Sequence, residues 1–243
     1  MYQTYKRKIR LHCEENLEPN RLIYLNFKDS HYLKSVMRCK IGHTIQVFNE
    51  SYGEYEAKIL NFEKKCFVLK LLRKSKRYED KFILSLLFAP VKKDKTEYII
   101  QKATELGVSE FFPVLTQRTN IRSINLNRMN LIAKEASEQS ERLSIPKINE
   151  LKNLIDVISD WDNKINILYA DETLKDKIDI KEKKVKLNSN GAVLIGPEGG
   201  FSKNEISFLK SKKFVIPISL GSRVLRSDTA IVVALSYWHF LNC

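Results

Sequence analysis

The chain has 243 residues, of which 43% are hydrophobic, and a formal net charge of +13. This length and composition allow a buried core in one large domain or two modest ones, and the basic surplus favours an acidic partner such as nucleic acid. No apolar run approaches the length that crosses a bilayer, and the charged N-terminus lacks the apolar stretch of a signal peptide.

The positive charge is unevenly distributed. Residues 1–77 hold 17 Lys and Arg against 8 Asp and Glu, whereas the remainder holds 25 against 21. The asymmetry favours an RNA-binding N-terminal part. For the overall charge, the alternative that lysines reflect biased composition and only solvate the surface stays open.

The cysteines indicate reduced thiols rather than a metal centre. Cys13, Cys39, Cys66 and Cys243 are far apart and form no pair with metal-site spacing. We therefore predict a cytoplasmic protein with free thiols and no metal.

Residues 1–72 are predicted to form a small β-rich domain. Apolar residues alternate with polar neighbours in the ranges 45–47, 55–59 and 67–71, which is the period of half-buried strands, and Gly53 marks a turn between two of them. Several short, closely spaced strands indicate a small barrel. The other elements predicted here are a strand over residues 22–25 and a short helix over 31–38.

The remainder of the chain, residues 73–243, is predicted to form an α/β domain. The charged segment 73–80 has no apolar period and sets the boundary. Strands and helices then alternate, which indicates a mostly parallel sheet. Gly107 occupies a helix C-cap position. The predicted strands cover residues 82–89, 108–114, 165–169, 192–195 and 215–220, and the helices include 125–142, one that begins after the Ser202–Glu205 capping box and one capped by Ser227 or Asp228.

Glycine is concentrated in two loops near the C-terminus. Of only eight glycines, four lie in Ile195-Gly-Pro-Glu-Gly-Gly-Phe-Ser202 and Leu220-Gly-Ser-Arg-Val-Leu-Arg-Ser-Asp-Thr-Ala230. Glycine permits positive φ and the close approach of a ligand. Where a loop enters a helix, the free backbone N–H groups of the first turn can bind polar or anionic groups of a ligand. The loops predict a ligand pocket built from backbone, with a tight structural turn as the alternative. A phosphate loop would need a Gly-Lys-Ser/Thr sequence that is absent.

Four segments in order carry a family resemblance. The two glycine loops, with Ile99-Ile-Gln-Lys-Ala-Thr-Glu-Leu-Gly-Val108 and Glu135-Ala-Ser-Glu-Gln-Ser-Glu-Arg142, resemble the RsmE family of SPOUT-class methyltransferases of small-subunit ribosomal RNA. The resemblance runs from about residue 21 to the end. The family usually has proline at Ser222 and threonine-glutamate at Ser227 and Asp228, and the latter changes keep hydroxyl and carboxylate chemistry.

The resemblance implies both fold and activity. It implies a SPOUT-type, trefoil-knotted α/β domain that binds S-adenosylmethionine (SAM), preceded by a small PUA-like or OB-like RNA-binding β-barrel. The implied reaction is methyl transfer from SAM to N3 of a uridine in 16S ribosomal RNA, by a homodimer that uses the C-terminal helix. A SPOUT methyltransferase of another RNA stays open, as does a noncatalytic ribosome-assembly factor, although the intact glycine loops argue against the latter.

The same resemblance implies site residues. Arg226 is the expected stabiliser of charge on the uridine, with an ion pair to Glu198 or Asp228 as the structural alternative. The expected cofactor pocket consists of Leu194, Ile195, Gly196, Pro197, Glu198, Gly199, Gly200, Ile218, Ser219, Leu220, Gly221, Val224 and Leu225.

A predicted helix face supplies further candidates. Glu135, Glu138, Gln139 and Arg142 have the spacing i, i+3, i+4, i+7 of one helix face. The resemblance makes the last three catalytic candidates, and a solvated face with a Glu138–Arg142 pair is the alternative. Candidates for binding RNA phosphates, each otherwise an ordinary surface residue, are Arg7, Arg10, Arg38, Arg118 and Arg122.

Overall fold

The computed structural model describes residues 9–75, 83–174 and 190–242. The chain divides into two compact units: unit 1 contains Met1–Glu79 and Ser137–Ile145, and unit 2 contains Asp80–Ala136 and Pro146–Cys243. The domain boundary after residue 72 stays a prediction. No pattern in the sequence predicts that Ser137–Ile145 belongs to the same unit as the N-terminal part of the chain.

Unit 1 is built on a sheet of five strands: β1 (Arg10–His12), β2 (Leu22–Tyr24), β3 (Thr44–Asn49), β4 (Gly53–Glu63) and β5 (Cys66–Ser75). Their order is β1-β3-β4-β5-β2. β1 is parallel to β3, and the other neighbours are antiparallel. The strands predicted over these ranges are confirmed, and the apolar residues Ile45, Ala57 and Leu69 are fully buried. Strict alternation is not found in β3, because Gln46 is only 3% exposed. β1, a three-residue strand held by parallel pairing with the distant β3, was not predicted.

The helix of unit 1 begins earlier than the sequence predicted. α1 (Phe27–His31) is followed directly by a π-helical turn over Tyr32–Val36. Asn26 sets the start, because its side-chain oxygen accepts a hydrogen bond from the Asp29 N–H at 2.9 Å and so satisfies a donor of the first turn.

Unit 2 is an α/β unit in which seven described strands form a parallel sheet. Its elements are β6 (Leu84–Phe88), α2 (Lys93–Glu105), β7 (Glu110–Leu115), α3 (Leu126–Gln139, which ends in unit 1), β8 (Lys147–Ile148), β9 (Lys152–Asn153), α4 (Leu154–Ser159), β10 (Ile167–Ala170), β11 (Gly191–Ile195), α5 (Lys203–Lys210), β12 (Val215–Ile218) and α6 (Ser227–Asn242). The strand order is β12-β10-β11-β6-β7-β8, and β9 also pairs with β7. The trefoil knot stays a prediction, because strand order does not describe how the chain is threaded.

The predicted end of α2 is confirmed. Gly107 has φ +84° and donates its N–H to the Thr104 carbonyl, and Val108 donates to the Ala103 carbonyl, both at 3.0 Å. These two bonds define a Schellman motif, in which glycine relieves the strain of the left-handed residue.

Helix α3 is shorter than the predicted helix over 125–142. It ends at Gln139, Glu141 adopts φ +65°, and Arg142 donates its N–H to the Ser137 carbonyl at 3.1 Å. This is again a Schellman-type ending, here with a non-glycine residue in the left-handed region. The helix therefore stops before Arg142, and this residue does not continue the predicted helix face.

Arg10 joins the end of α3 to the sheet of unit 1. Arg10 is 5% exposed, its Nε lies 2.6 Å from Glu54 Oε2, and its guanidinium carbon lies 4.0 Å above the Phe48 ring. The remaining guanidinium nitrogens donate to the carbonyls of Ser137, Glu138 and Arg142 at 3.0, 3.1 and 2.7 Å. A cation at a helix C-terminus also complements the helix dipole, so Arg10 is a structural residue.

Neither a membrane span nor a metal cluster is found in the described ranges. None of their helices is long and apolar enough to cross a membrane. Within those same ranges, no group of three or more His, Cys, Asp or Glu side chains is arranged to hold a metal ion.

We expect Arg10→Met to lower the free energy of unfolding by about 3–5 kcal/mol, because the buried Glu54 carboxylate would lose its ion pair with Arg10. The combined variant Arg10→Met, Glu54→Leu should lose less than the sum of the single variants. The matched control is Arg73→Met, which breaks a 2.8 Å pair with Glu56 whose arginine side chain is 80% exposed; this change should cost less than about 1 kcal/mol. Urea unfolding measures all of these, and equal losses for Arg10→Met and Arg73→Met would contradict the assignment.

Candidate cofactor pocket

The carboxyl ends of β10, β11 and β12 form one wall of a cavity in unit 2. These strands are parallel neighbours, and Tyr169 of β10 is in register with Leu194 of β11 and Pro217 of β12. The loops that leave the three strands, together with the start of α6, enclose a cavity of about 170 Å³. Ligand sites of open α/β sheets lie at this carboxyl edge.

Most of the expected cofactor residues line this cavity. Those that do are Ile195, Gly196, Pro197, Glu198, Gly200, Leu220, Gly221, Val224 and Leu225. Leu194 and Ile218, which are both fully buried, do not line it. Gly199 and Ser219 also lie outside the lining. The assignment of the set to a cofactor stays a prediction.

Two glycines of the first loop are required by close contacts. A Cβ on Gly196 would lie 2.9 Å from the Phe201 ring, and Gly200 has φ +67° with Glu172 directly against the place of its missing side chain. The loop closes in a turn in which the Gly200 N–H donates to the Pro197 carbonyl at 2.8 Å. At Gly199, by contrast, a Cβ would meet only Arg118 side-chain atoms at 3.5 Å or more.

Side chains from two other elements hold the first loop. Arg118, in the segment after β7, donates from Nη1 to the Gly199 carbonyl at 2.6 Å. Lys95, in the first turn of α2, lies 3.2 Å from a Glu198 carboxylate oxygen. Arg118 was expected to bind RNA, and that role stays a prediction for a side chain that already supports the pocket.

The predicted capping box at the end of this loop is confirmed. Ser202 donates its N–H to Glu205 Oε2 at 2.8 Å, and the Glu205 N–H donates to Ser202 Oγ at 3.3 Å. The second carboxylate oxygen of Glu205 accepts the Gln117 N–H at 2.8 Å. Glu205 is 3% exposed, so one buried carboxylate fixes both the start of α5 and the segment after β7.

The part of the cavity lining formed by the segment after β10 was not predicted. Asp171 is buried, and its carboxylate accepts hydrogen bonds from the Tyr169 hydroxyl at 2.7 Å and from the Thr173 N–H and hydroxyl at 3.0 and 2.6 Å. The signal was present, since residues 165–169 were predicted as a strand and Asp171 and Glu172 stand just beyond its carboxyl end.

The surroundings of Asp171 keep it ionised. Burial alone would raise its pKa, but hydrogen bonds from Thr173 and Tyr169 and the charge of Lys210 outweigh burial and hold the pKa of Asp171 below its usual value. Burial, with the hydrogen bond to Asp171, raises the pKa of Tyr169. The pair therefore consists of a carboxylate and a neutral phenol at neutral pH, and it holds the β10 loop in one conformation.

The second glycine loop places one of its two arginines at the cavity. Gly221 has φ +108°, and Arg223 lines the cavity. Arg226 is exposed and is not part of the lining. Its carbonyl accepts the Ala230 N–H at 2.8 Å, so Arg226 occupies the N-cap position of α6. Within the described ranges its side chain makes no ion pair with Glu198 or Asp228.

The expected caps of α6 take a different place. Ser227 and Asp228 lie in the first turn of the helix rather than before it. The Ser227 hydroxyl donates to the Gly196 carbonyl at 3.3 Å. This bond ties the start of α6 to the first glycine loop, so the two loops support each other.

The catalytic candidates at the end of α3 belong to unit 1. Glu138 is 5% exposed and its Oε1 accepts the His12 N–H at 3.1 Å. Arg142 is also buried, whereas Gln139 and Glu135 are exposed. The cavity lining of unit 2 contains none of them. Their catalytic role stays a prediction, and the contacts of Glu138 are those of a structural residue.

The other RNA-binding candidates differ in exposure. Arg7 lies outside the described residues. Arg38, which has φ +53°, and Arg122 are exposed. Arg10 is buried by its structural contacts, so its guanidinium does not face a phosphate in solution. Side-chain burial of this kind cannot be read from a lysine- and arginine-rich sequence.

Known proteins match both units. A family model described as an RNA methyltransferase domain matches residues 79–239, and one described as an RNA methyltransferase PUA domain matches residues 25–72. The chain is 35% identical over 213 residues to the ribosomal RNA small subunit methyltransferase E of Rickettsia conorii, a match that covers 87% of this chain and 86% of that protein.

Solved structures share the fold. A Legionella pneumophila protein, described as a methyltransferase and solved with the bound cofactor SAM, has 27% identity and a TM-score of 0.86 over 97% of this chain and 98% of that one. A ribosomal RNA small subunit methyltransferase E of Neisseria gonorrhoeae, 23% identical and solved with bound SAM, matches in fold with a TM-score of 0.87 over 96% of this chain and 98% of that one. The chain belongs to the RNA methyltransferase family that contains the ribosomal RNA small subunit methyltransferases E, as the RsmE resemblance of its sequence predicts.

Proposed function

We propose that the chain transfers a methyl group from SAM to N3 of a uridine in the RNA of the small ribosomal subunit. The observation that carries the proposal is the cavity between the two glycine loops at the carboxyl edge of the sheet. It occurs in a chain with 35% identity to a protein named for small-subunit ribosomal RNA methylation and with the fold of a protein solved with SAM.

The cavity residues suit SAM chemically. Ile195, Leu220 and Leu225 offer apolar side chains to an adenine ring, and the loop around Gly196 and Gly200 offers backbone groups to polar atoms. Gly200 is glycine because its φ is +67° and the Glu172 carboxylate lies against the place of a Cβ. Both residues line the cavity, so the backbone there is kept in the shape that a ligand would meet. When bound, SAM supplies a methyl group already activated by the sulfonium charge, so the proposed reaction needs no metal.

The residues of the chain must make N3 of the uridine reactive and position it. N3 carries a proton at neutral pH, and the charge left by its removal spreads over O2 and O4. An arginine beside the base stabilises this charge and orients the ring. We infer that Arg226 has this role, because it is exposed at the N-cap of α6, between the cavity residues Leu225 and Ser227. The base must leave its stack or pair to be reached.

The remaining parts of the proposal concern partner, location and assembly. The basic N-terminal part of the chain supplies affinity for RNA, within the small ribosomal subunit of the cytoplasm. We infer a homodimer through α6, because Val233 and Phe240 leave 37% and 79% of their surface exposed on a helix whose other apolar residues are mostly buried. Covering this apolar surface favours association.

Mass mapping of small-subunit ribosomal RNA nucleosides tests the reaction. RNA from cells that lack the gene should lose one N3-methyluridine, and purified protein with SAM should restore it. A methylated nucleoside that is lost from transfer RNA instead would favour the alternative of a SPOUT enzyme acting on another RNA. Unchanged nucleosides, with retained RNA binding, would favour the noncatalytic assembly factor.

Gly200→Ala should weaken SAM binding by about tenfold or more, because alanine is strained at positive φ and its methyl group displaces Glu172 at the cavity. Gly199→Ala is the matched control and should bind SAM like the wild type, since φ is ordinary there and the nearest atoms belong to a flexible arginine. Calorimetric titration gives both affinities. Equal affinities for the two variants would remove this loop from the cofactor site.

Arg226→Ala should slow methyl transfer by about a hundredfold or more, because a contact to developing charge is lost. Arg226→Lys should also be slow, since an ammonium cannot reproduce the planar donors of a guanidinium. Single-turnover methylation of unmethylated small subunits, at saturating SAM, measures the rate. If Arg223→Ala is slow while Arg226→Ala reacts at the wild-type rate, the cavity-lining arginine takes the role.

Phe240→Glu should shift the protein from dimer to monomer, because it puts a charge into the covered apolar surface. Leu131→Glu is the control, since Leu131 is 46% exposed on α3 and should leave the mass unchanged. Sedimentation equilibrium at micromolar concentration measures the mass. A monomeric wild type would overturn the dimer.

A further inference from the structure

One face of the sheet in unit 1 exposes apolar side chains beside lysines. Tyr24 and Leu22, on the same side of edge strand β2, are 63% and 45% exposed, whereas Ile23 between them is 1% exposed. Leu22 is in register with Lys70 of β5, and Lys70 with Lys58 of β4. We call the surface formed by Leu22, Tyr24, Lys58 and Lys70 the Tyr24 face.

The two lysines are placed unfavourably for the isolated protein. Side chains of directly opposed residues lie about 5 Å apart on one side of a sheet, and like charges there are destabilising. The next residue across the row is Thr44, so the row itself holds no carboxylate. Glu56, two residues from Lys58 on the same side of β4, is paired with Arg73 at 2.8 Å. Within the described ranges neither lysine forms an ion pair. A bound anion would relieve this repulsion.

The next row on the same side of the sheet, two residues along β3 and β4, has its charges paired within the protein. In the row of Gln46, Glu56 and Arg73, the basic residue is paired, since Arg73 lies 2.8 Å from Glu56. The side of β1 and β3 that carries Arg10 is covered by the Ser137–Ile145 segment, through bonds to the Ser137, Glu138 and Arg142 carbonyls. The Tyr24 face has no comparable cover from the described residues of unit 1.

The aromatic rings of unit 1 differ in whether another ring or a cation packs against them. Lys34 already lies 3.7 Å above the Phe62 ring, and Phe62 in turn packs on Phe67 at 4.8 Å between centroids. In the part of the chain that the structure describes, the Tyr24 ring has no ring, cation or hydrogen-bond partner. A flat apolar surface with a hydroxyl at its edge, next to two cations, fits a base and its flanking phosphates.

We propose that the Tyr24 face binds unpaired RNA, with one base stacked on Tyr24 and the neighbouring phosphates bound by Lys58 and Lys70. The inference rests on the proposed function, because it takes the RNA substrate as the occupant. The chemistry favours RNA over a protein partner, since the two cations stand opposite each other in a row without a carboxylate. A protein surface would have to supply two acidic groups at the same spacing. Bases in paired regions are inaccessible to such stacking, so the face selects single-stranded segments.

Stacking and charge have separate experimental signatures. Loss of a stacked base lowers affinity roughly tenfold, and it leaves the salt dependence unchanged because no counterion is involved. Loss of each phosphate contact lowers the slope of log affinity against log salt by about 0.7 for a single strand. The Tyr24 face therefore predicts two different responses from two sets of variants.

The experiment measures fluorescence anisotropy of a labelled oligouridylate of about 12 nucleotides, titrated with the full-length protein across a series of salt concentrations. Tyr24→Ala should bind roughly tenfold more weakly with an unchanged slope, and Tyr24→Phe should bind like the wild type. Lys58→Gln with Lys70→Gln should reduce the slope by about 1.4. Controls are Tyr98→Ala, an aromatic residue 44% exposed on α2, and Lys203→Gln with Lys213→Gln, which removes the same charge from exposed positions of unit 2.

The outcomes separate this inference from the proposed function. Wild-type methylation of small subunits, together with unchanged oligouridylate binding by Tyr24→Ala, would overturn the Tyr24 face and leave the reaction standing. The Tyr24 face would equally be overturned if the control lysine pair changes the slope as much as Lys58 and Lys70 do, or if Tyr24→Ala alters only the sedimentation mass, which would make the face an interface between copies. The predicted pattern of variants, found in a protein that does not methylate ribosomal RNA, would support the face and refute the reaction.

Discussion

The pocket depends on the register of three neighbouring parallel strands. β10 pairs with both β11 and β12, so their carboxyl ends lie at one edge and the loops that leave them converge. Two parallel neighbours cannot be joined by a tight turn, so a long crossover segment connects them. Residues distant in sequence therefore share one cavity. A slip by one residue would exchange the side chains that β10 and β11 send to the two buried sides of the sheet, and it would misplace all three loops.

Convergence alone does not hold the loops in place, and a second set of contacts fixes the first glycine loop and the loop after β10. Side chains from several elements bond these loops: Arg118 binds the Gly199 carbonyl, Ser227 binds the Gly196 carbonyl, and Asp171 organises the loop after β10. Glu205 connects the start of α5 with the segment after β7. A site organised in this way loses less binding free energy to the ordering of its own loops.

Local chemistry decides which of these features the sequence could predict. The Gly107 and Ser202–Glu205 motifs were predictable because each satisfies backbone groups within a few residues. The two-residue strands β8 and β9 and the short strand β1 exist only through pairing with distant strands, so no period marks them. The role of the segment after β10 could not be predicted from local sequence. Asp171 lies at the cavity only because β10 is next to the strands that carry the two glycine loops.

The arginines show most clearly why residue type does not settle role. Arg10 was expected among the surface arginines, yet it is almost fully buried against Glu54, Phe48 and the end of α3. A guanidinium has five donors in a fixed plane, so it can satisfy several carbonyls at once and serve as well in a core as on a phosphate. The net charge therefore overstates the number of cationic side chains that are exposed to bind RNA. What identifies a nucleic-acid surface is a cation that lacks an internal partner, and among the described residues of unit 1 that criterion favours the lysines of the Tyr24 face over Arg10.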